Sequence, residues 1–228
     1  MTTALIDGDI VAYRCAASSE NEDVGIAVAR VNDLMDRILH ETGSDAYVVF
    51  LTGSNNFRYQ YNPQYKANRT DKPKPIHLQA VREHLVVNWK ASVEDQQEAD
   101  DALGIYQMAN KDTIICSIDK DLLMIPGEHY DFVKGIRREQ FTIPAIRHFY
   151  YQLIMGDRTD NIFGFDGKAR QTVPKKLEPI LNELQTYDDE LDMFSFVRDL
   201  YNNDDILLMN GICLWIRRNE DEIWKFPT

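Results

Sequence analysis

ALIDGDIVAYR, residues 4–14, opens on a short apolar run that ends in an acid, Asp7. The run reads as a first strand. The next is DAYVVFLTG, residues 45–53, rich in β-formers and closed by Gly53. Between them Val28, Val31, Leu34, Met35, Ile38 and Leu39 recur at i, i+3, i+4 spacing, which predicts an amphipathic helix over residues 25–41. Strand, helix, strand is a βαβ unit, so the chain is expected to be α/β with a mostly parallel sheet. TIICSI, residues 113–118, adds a buried strand ended by Asp119 and Asp121, and HYDFVKG, residues 129–135, a shorter one.

The segments between are of three kinds. Residues 54–75, SNNFRYQYNPQYKANRTDKPKP, are polar, aromatic and basic with three prolines, which predicts an exposed excursion, partly helical at most. Residues 76–90 regain apolar periodicity, and QEADDALG, residues 97–104, opens a helix carried on by Ile105, Tyr106 and Ala109. From Tyr150 the pattern is helical. GDRTDNIFGFDGKAR (156–170) breaks it, and QTVPKKLEPILNEL (171–184) resumes it with Pro174 in the first turn, where proline is tolerated. The tail, NGICLWIRRNEDEIWKF (210–226), reads as a hairpin or a capping segment.

The length of 228 residues suits one domain over 1–228. A 44% hydrophobic and 27% charged composition is that of a soluble globular protein. The cysteines, Cys15, Cys116 and Cys213, are dispersed, odd in number and without CxxC spacing, which disfavours structural zinc and favours a reducing cytoplasm. The N-terminus lacks a basic region with a long apolar run, and no stretch reaches the ~18 apolar residues of a membrane span. The expectation is a cytoplasmic monomer with no membrane partner. A net charge of −12 argues against a nucleic-acid coat protein. A site built for divalent cations must itself be acidic, however, and the bound ions reverse the local field.

The acids are not scattered. Asp7, Asp119 and Asp121 stand at the ends of strands, where functional residues of parallel sheets gather. Glu98, Asp100 and Asp101 stand at a helix start, and Asp157 and Asp160, at i and i+3, in the loop of the helix hairpin. With Asp9 that makes nine carboxylates out of 37 acids, an all-oxygen donor set suited to Mg²⁺ or Mn²⁺. Each piece alone has a plainer reading: DGD as a turn, DKD as the start of a calcium loop, EADD as a solvated helix start, GDRTDN as an N-capped loop. Basic residues form two further groups. Lys66, Arg69, Lys72 and Lys74 are interleaved with Tyr59, Tyr61 and Tyr65, as in single-strand binders, or as a solvated loop carries them. Lys168, Arg170, Lys175 and Lys176 follow GDRTDN.

IDGDIVAYR (6–14), YKANR (65–69), EADDALG (98–104), SIDKDLLMI (117–125) and GDRTDNIFG (156–164), in this order, resemble the 5′ nucleases, the flap endonucleases and 5′→3′ exonucleases of the PIN-like fold. The short chain looks most like a phage enzyme. The resemblance implies a three-layer α/β core with a central, mostly parallel sheet, an arch or clamp over about 54–85, and a helix-three-turn-helix element over about 150–185. It places Asp7, Glu98, Asp100, Asp101, Asp119, Asp121, Asp157 and Asp160 on metal-ligand positions and Lys66 and Arg69 on the scissile phosphate. It puts Tyr65 on the terminal base, and Arg14 and Arg58 near the phosphates. Two departures stand out. The acid usual at the end of the second strand is replaced by Leu51 and Thr52, with Asp9 a candidate substitute. The usual GIGxKT of the hairpin is GKARQT here (167–172).

The implied activity is two-metal hydrolysis of phosphodiesters near 5′ ends of DNA, on a duplex end or a 5′ flap, in phage DNA replication or degradation. Asp7, Asp101, Asp119, Lys66 and Arg69 are its expected catalytic residues. Two Mg²⁺ or Mn²⁺ ions are the implied cofactors, with a monovalent cation at the hairpin as an optional third, and an RNA–DNA hybrid is an optional second substrate. The rivals are a PIN-type ribonuclease, a DxD phosphatase, which lacks its usual Thr after DGD here, and a catalytically silent DNA-binding protein.

Overall fold

The computed structural model describes residues 2–69 and 73–228. Its chain divides into two compact units. The first holds the residues up to Asn56, Pro73–Gln140 and Arg217–Glu220; the second holds the segment from Phe57, Phe141–Ile216 and Asp221–Thr228.

The first unit runs β1 (Thr3–Asp7), α1 (Gly8–Ser18), α2 (Val24–Thr42) and β2 (Ala46–Thr52). After α3 (Arg58–Tyr61), which belongs to the second unit, it continues with α4 (Leu78–Asn88), β3 (Ser92–Glu94), α5 (Ala99–Ala109), β4 (Thr113–Cys116), β5 (Gly127–Asp131) and β6 (Ile136–Gln140). The strands form one sheet in the order β3-β2-β1-β4-β5-β6, parallel throughout except for the antiparallel β5–β6 pair.

Alternation along the strands sorts the core into two layers. Ala4, Ile6, Val49, Leu51, Ile114 and Cys116 face one way and pack with the apolar stripes of α1, α2 and α4, including Val11, Val31, Met35, Ile38, Val81 and Leu85. On the other face α5 packs against β1, β2 and β4, with Tyr106 6.2 Å from Phe50. This is a mixed α/β fold with a mostly parallel central sheet. Gly8–Ser18, which the turn-like DGD obscured in the sequence, is helical from the residue after β1, because Asp7 caps it by accepting from the Ile10 N–H. No helix among the described residues is long and apolar enough to cross a membrane.

The second unit contains α3, α6 (Thr142–Met155), the short antiparallel pair β7 (Gly156–Asp157) and β8 (Ile162–Phe163), α7 (Glu178–Leu184), α8 (Glu190–Tyr201) and α9 (Asp204–Leu214). The β7–β8 ribbon occupies the expected loop between helices. Gly156, at φ +66°, turns the chain where an added Cβ would lie 2.5 Å from the Gly164 nitrogen. Pro174 precedes a single 3₁₀ turn, Lys175–Leu177, and α7 starts after it. The tail forms no hairpin: NGICL completes α9, and Trp215, Trp224 and Phe226 join Phe149 and Phe194 in an aromatic cluster with centroids 4.9–6.5 Å apart.

Candidate functional site

The first unit brings seven of the nine acids to the carboxyl ends of its parallel strands or to the helices that follow them. Asp7 ends β1 and is 2% exposed. Its Oδ2 accepts from the Ser117 hydroxyl (2.6 Å) and its Oδ1 from the Ile10 N–H (3.1 Å). Burial pushes the Asp7 carboxyl up to about 7; the Asp9 and Asp119 charges add to the rise against those two hydrogen bonds. The Ser117 hydroxyl oxygen in turn accepts from the Asp119 N–H (3.0 Å), and the Asp119 Oδ1 accepts from the Asp121 N–H (2.9 Å). Ser117, the first residue of SIDKDLLMI but given no role from the sequence, thus ties β1 to the loop after β4.

Glu98 is the N-cap residue of α5, and its N–H donates to the Asp101 carboxylate (3.0 Å). Asp101 is fully buried, and its other oxygen accepts from the Arg217 N–H (3.0 Å). Asp100 is half-buried beside it. Asp9 lies at the start of α1, its Oδ1 paired with Arg82 and its Oδ2 accepting from the Thr52 N–H (2.9 Å). Leu51 is fully buried in the core, and the Thr52 hydroxyl oxygen accepts from the Ala99 N–H (2.9 Å).

The donor chemistry fits a hard divalent cation. Every candidate ligand is a carboxylate oxygen, and Asp7 carries a desolvation and like-charge cost that a cation would offset. Among the described residues, no three His, Cys, Asp or Glu side chains stand together as a ready ligand sphere.

The second unit carries the other two acids, joined to YKANR. Asp160 receives the Tyr65 hydroxyl (2.8 Å), the Arg69 guanidinium and, at 3.6 Å, the Lys66 ammonium. The Lys66 N–H also donates to the Asp160 carbonyl (2.9 Å), Arg69 Nε to the Thr159 carbonyl (3.0 Å) and Asn161 Nδ2 to the Gln64 carbonyl (2.8 Å). Lys66 lies over the Tyr65 ring (4.9 Å) and holds a left-handed φ of +56°. Asp157 accepts from the Thr159 N–H (2.6 Å), and burial, then the Asp160 charge, raise its carboxyl above the ordinary range.

Several expected nucleic-acid contacts sit differently from the sequence expectation. Tyr65 is 2% exposed, its ring covered and its hydroxyl on Asp160; Tyr59 and Tyr61 are the open rings, 48% and 41% exposed. Arg58 is also 2% exposed, because its guanidinium caps the C-terminal end of α9, donating to the Cys213 and Trp215 carbonyls (2.9 and 2.7 Å). Arg170 and Lys176 both pair with Asp166, whose carboxyl is held below the ordinary range chiefly by the Arg170 hydrogen bond. Arg14, Lys74, Lys168 and Lys175 are exposed. Lys72 lies outside the described residues.

Arg82 was not singled out in the sequence. Its only signal is its place on α4: four residues after Leu78 and three before Leu85, a cation on the face that packs.

DNA polymerase I of Bacillus caldotenax is 30% identical over 202 residues, covering 76% of this chain and 23% of that protein. DNA polymerase I of Bacillus subtilis is 30% identical over 200 residues with the same coverage. The chain therefore spans about a quarter of the length of these relatives. Among solved structures, the T5 5′-exonuclease with bound zinc superposes with a TM-score of 0.72 at 15% identity, over 94% of this chain and 89% of that one. The bacteriophage T5 D15 flap endonuclease superposes with a TM-score of 0.70, also at 15% identity and the same coverage. At that identity the likeness is one of fold. A family model described as "5′-3′ exonuclease, N-terminal resolvase-like domain" matches residues 2–151, the stretch that holds all seven acids of the sheet edge, and on that match the chain belongs to this 5′-3′ exonuclease family.

Proposed function

We propose that residues 1–228 act as a metal-dependent 5′→3′ exonuclease or flap endonuclease that hydrolyses phosphodiesters near the 5′ ends of DNA. The observation that supports this reading is the position of Asp7 at the end of β1, of Asp119 and Asp121 after β4, and of Glu98, Asp100 and Asp101 at the start of α5, in a chain of this family. The T5 flap endonuclease was solved with DNA and metal ions, which accords with it.

Those six acids are the residues of the first unit proposed to hold Mg²⁺ or Mn²⁺, two ions in all, and Asp157 and Asp160 are the further proposed ligands carried by the second unit. When bound, the ions supply Lewis-acid charge and lower the pKa of water. The chain's own residues do the rest. Ser117 orients Asp7 through its hydroxyl. Lys66 and Arg69 offset charge that grows on the phosphoryl oxygens. Arg14, Lys74, Lys168 and Lys175, all exposed, hold the phosphate backbone without reading sequence. With the Tyr65 ring covered, Tyr59 and Tyr61 offer the stacking faces. The proposed setting is phage DNA metabolism in a host cytoplasm, with an RNA–DNA hybrid as a second substrate.

The test uses a 5′-flapped duplex and a blunt duplex, each labelled at one end, with Mg²⁺, Mn²⁺ or EDTA. Metal-dependent release of short 5′ products is the expected result, and product length separates flap cutting from stepwise trimming. Binding without cleavage in either metal would overturn the reading in favour of a silent DNA-binding protein.

A further inference from the structure

Where β2 ends, five elements of the first unit meet in a set of hydrogen bonds with Arg82 at its centre. From α4, one branch of its guanidinium pairs with the Asp9 carboxylate and the other donates to the Thr52 carbonyl. Asp9 returns to the same residue, accepting the Thr52 N–H at 2.9 Å. Thr52 passes the link to α5, its hydroxyl oxygen accepting from the Ala99 N–H at 2.9 Å. The next residue, Gly53, donates to the Glu94 carbonyl at 2.7 Å and ties down the approach to Glu98. The start of α1 is pressed onto β2: a Cβ on Gly8 would lie 2.5 Å from the Phe50 carbonyl oxygen.

Each end of this set touches a candidate ligand. Asp9 is two residues from Asp7, and Ala99 follows Glu98 and precedes Asp100. Asp9 is paired with a cation of the fold, Arg82, and its other oxygen accepts the Thr52 N–H, so its carboxylate works as a counter-ion inside the fold. The planar fork of the guanidinium holds the carboxylate and the carbonyl from two separate nitrogens in a fixed geometry; a lysine ammonium carries its donors on one nitrogen at the end of a flexible stem and fixes the two less rigidly.

The geometry points to Arg82 as a positioning residue. By gripping Asp9 and Thr52 it fixes the starts of α1 and α5, and through them the spacing of Asp7, Glu98 and Asp100. Its effect on cleavage rests on the nuclease reading above; its effect on the backbone does not.

Both arms can be measured on the full chain. In Arg82→Ala the single-turnover rate at saturating flapped DNA falls by about 10–100-fold, the scale of losing a residue that orients ligands. DNA affinity measured with Ca²⁺ stays within about twofold. Hydrogen exchange, followed in metal-free protein, speeds up at the Thr52 and Ala99 amides. Arg82→Lys, which keeps stem and charge, covers the case in which the alanine variant fails to fold; its rate stays below wild type. A wild-type rate in Arg82→Lys overturns the inference, as does a loss confined to DNA affinity, which would make Arg82 a phosphate contact. If the wild-type chain itself does not cleave, the nuclease reading falls, and the exchange arm still decides: unchanged protection at Thr52 and Ala99 in both variants overturns the positioning role.

Discussion

The acid edge of the first unit and the Asp160 hub of the second handle buried negative charge in opposite ways. At the edge, burial pushes the Asp7 carboxyl up to about 7, with Asp9 and Asp119 adding repulsion, against the hydroxyl and the backbone N–H that it accepts from. At the hub, Asp160 is surrounded by Lys66, Arg69 and the Tyr65 hydroxyl. At Asp7 two neutral hydrogen bonds do not offset burial and repulsion; Asp160 has cations of the fold beside it. A fold keeps a desolvated carboxylate at a cost in stability, and the usual return is a site that an external cation completes.

The contrast can be broken in several places. The largest expected effect is at the edge: Asp119→Ala should cut cleavage on the order of 10³-fold or more while DNA binding survives, because the lost carboxylate is a proposed ligand of the ions that meet the developing charge and is not a contact to the duplex. Rate per bound complex, measured with saturating enzyme, checks this; lost binding with an intact rate would remove Asp119 from the chemistry.

Next comes Arg58, which separates a buried cation from a DNA contact. Arg58→Ala strips two carbonyls at the end of α9 of their donors and should cost about 2–4 kcal/mol in urea unfolding. DNA affinity per folded molecule should hold.

A paired test addresses the contrast itself. In EDTA, Asp160→Ala should destabilise the chain by about 1–3 kcal/mol, since it leaves Lys66, Arg69 and Tyr65 without this carboxylate. Asp7→Asn should instead stabilise it by about 1 kcal/mol, since it removes a desolvated charge beside other carboxylates. Thermal midpoints moving in the same direction would show that the two regions do not differ as described.

The smallest effect lies at His129, whose Nε2 meets the Ile125 carbonyl at 2.8 Å and whose imidazole burial holds below its ordinary 6.5, with Arg138 adding to the fall. The folded state resists protonation there and the unfolded state does not. Stability is therefore full above pH 6.5 and lost as pH falls below it, by up to about 1.4 kcal/mol per pH unit until the folded value is reached. His129→Gln should flatten that part of the curve in unfolding at about pH 7.5 and about pH 5.5.

Much of the fold was legible because strands buried on both faces leave continuous apolar runs: TALID, AYVVFLT and TIIC all became strands within a few residues of their expected ends. Ser92–Glu94 and Ile136–Gln140 were not legible, being short or mostly exposed edge strands without an apolar signature. The acids were legible as types at strand and helix ends. Their partners were not: Ser117 stands inside a quoted motif and Thr52 at a noted departure without their contacts being readable, Arg82 lies in no motif, and all three acquire a role through contacts 43 to 110 residues away.

By itself, then, the sequence determined the α/β class, the parallel sheet and the identity of the acids, because periodicity and residue type are local properties. Tertiary structure decided which charges are open and which are spent. Arg58 closes a helix end, Tyr65 turns its hydroxyl inward to Asp160, and Asp9 is held by Arg82 and Thr52. A side chain's charge is written in the sequence; its desolvation and its partners depend on which distant segments the fold packs around it.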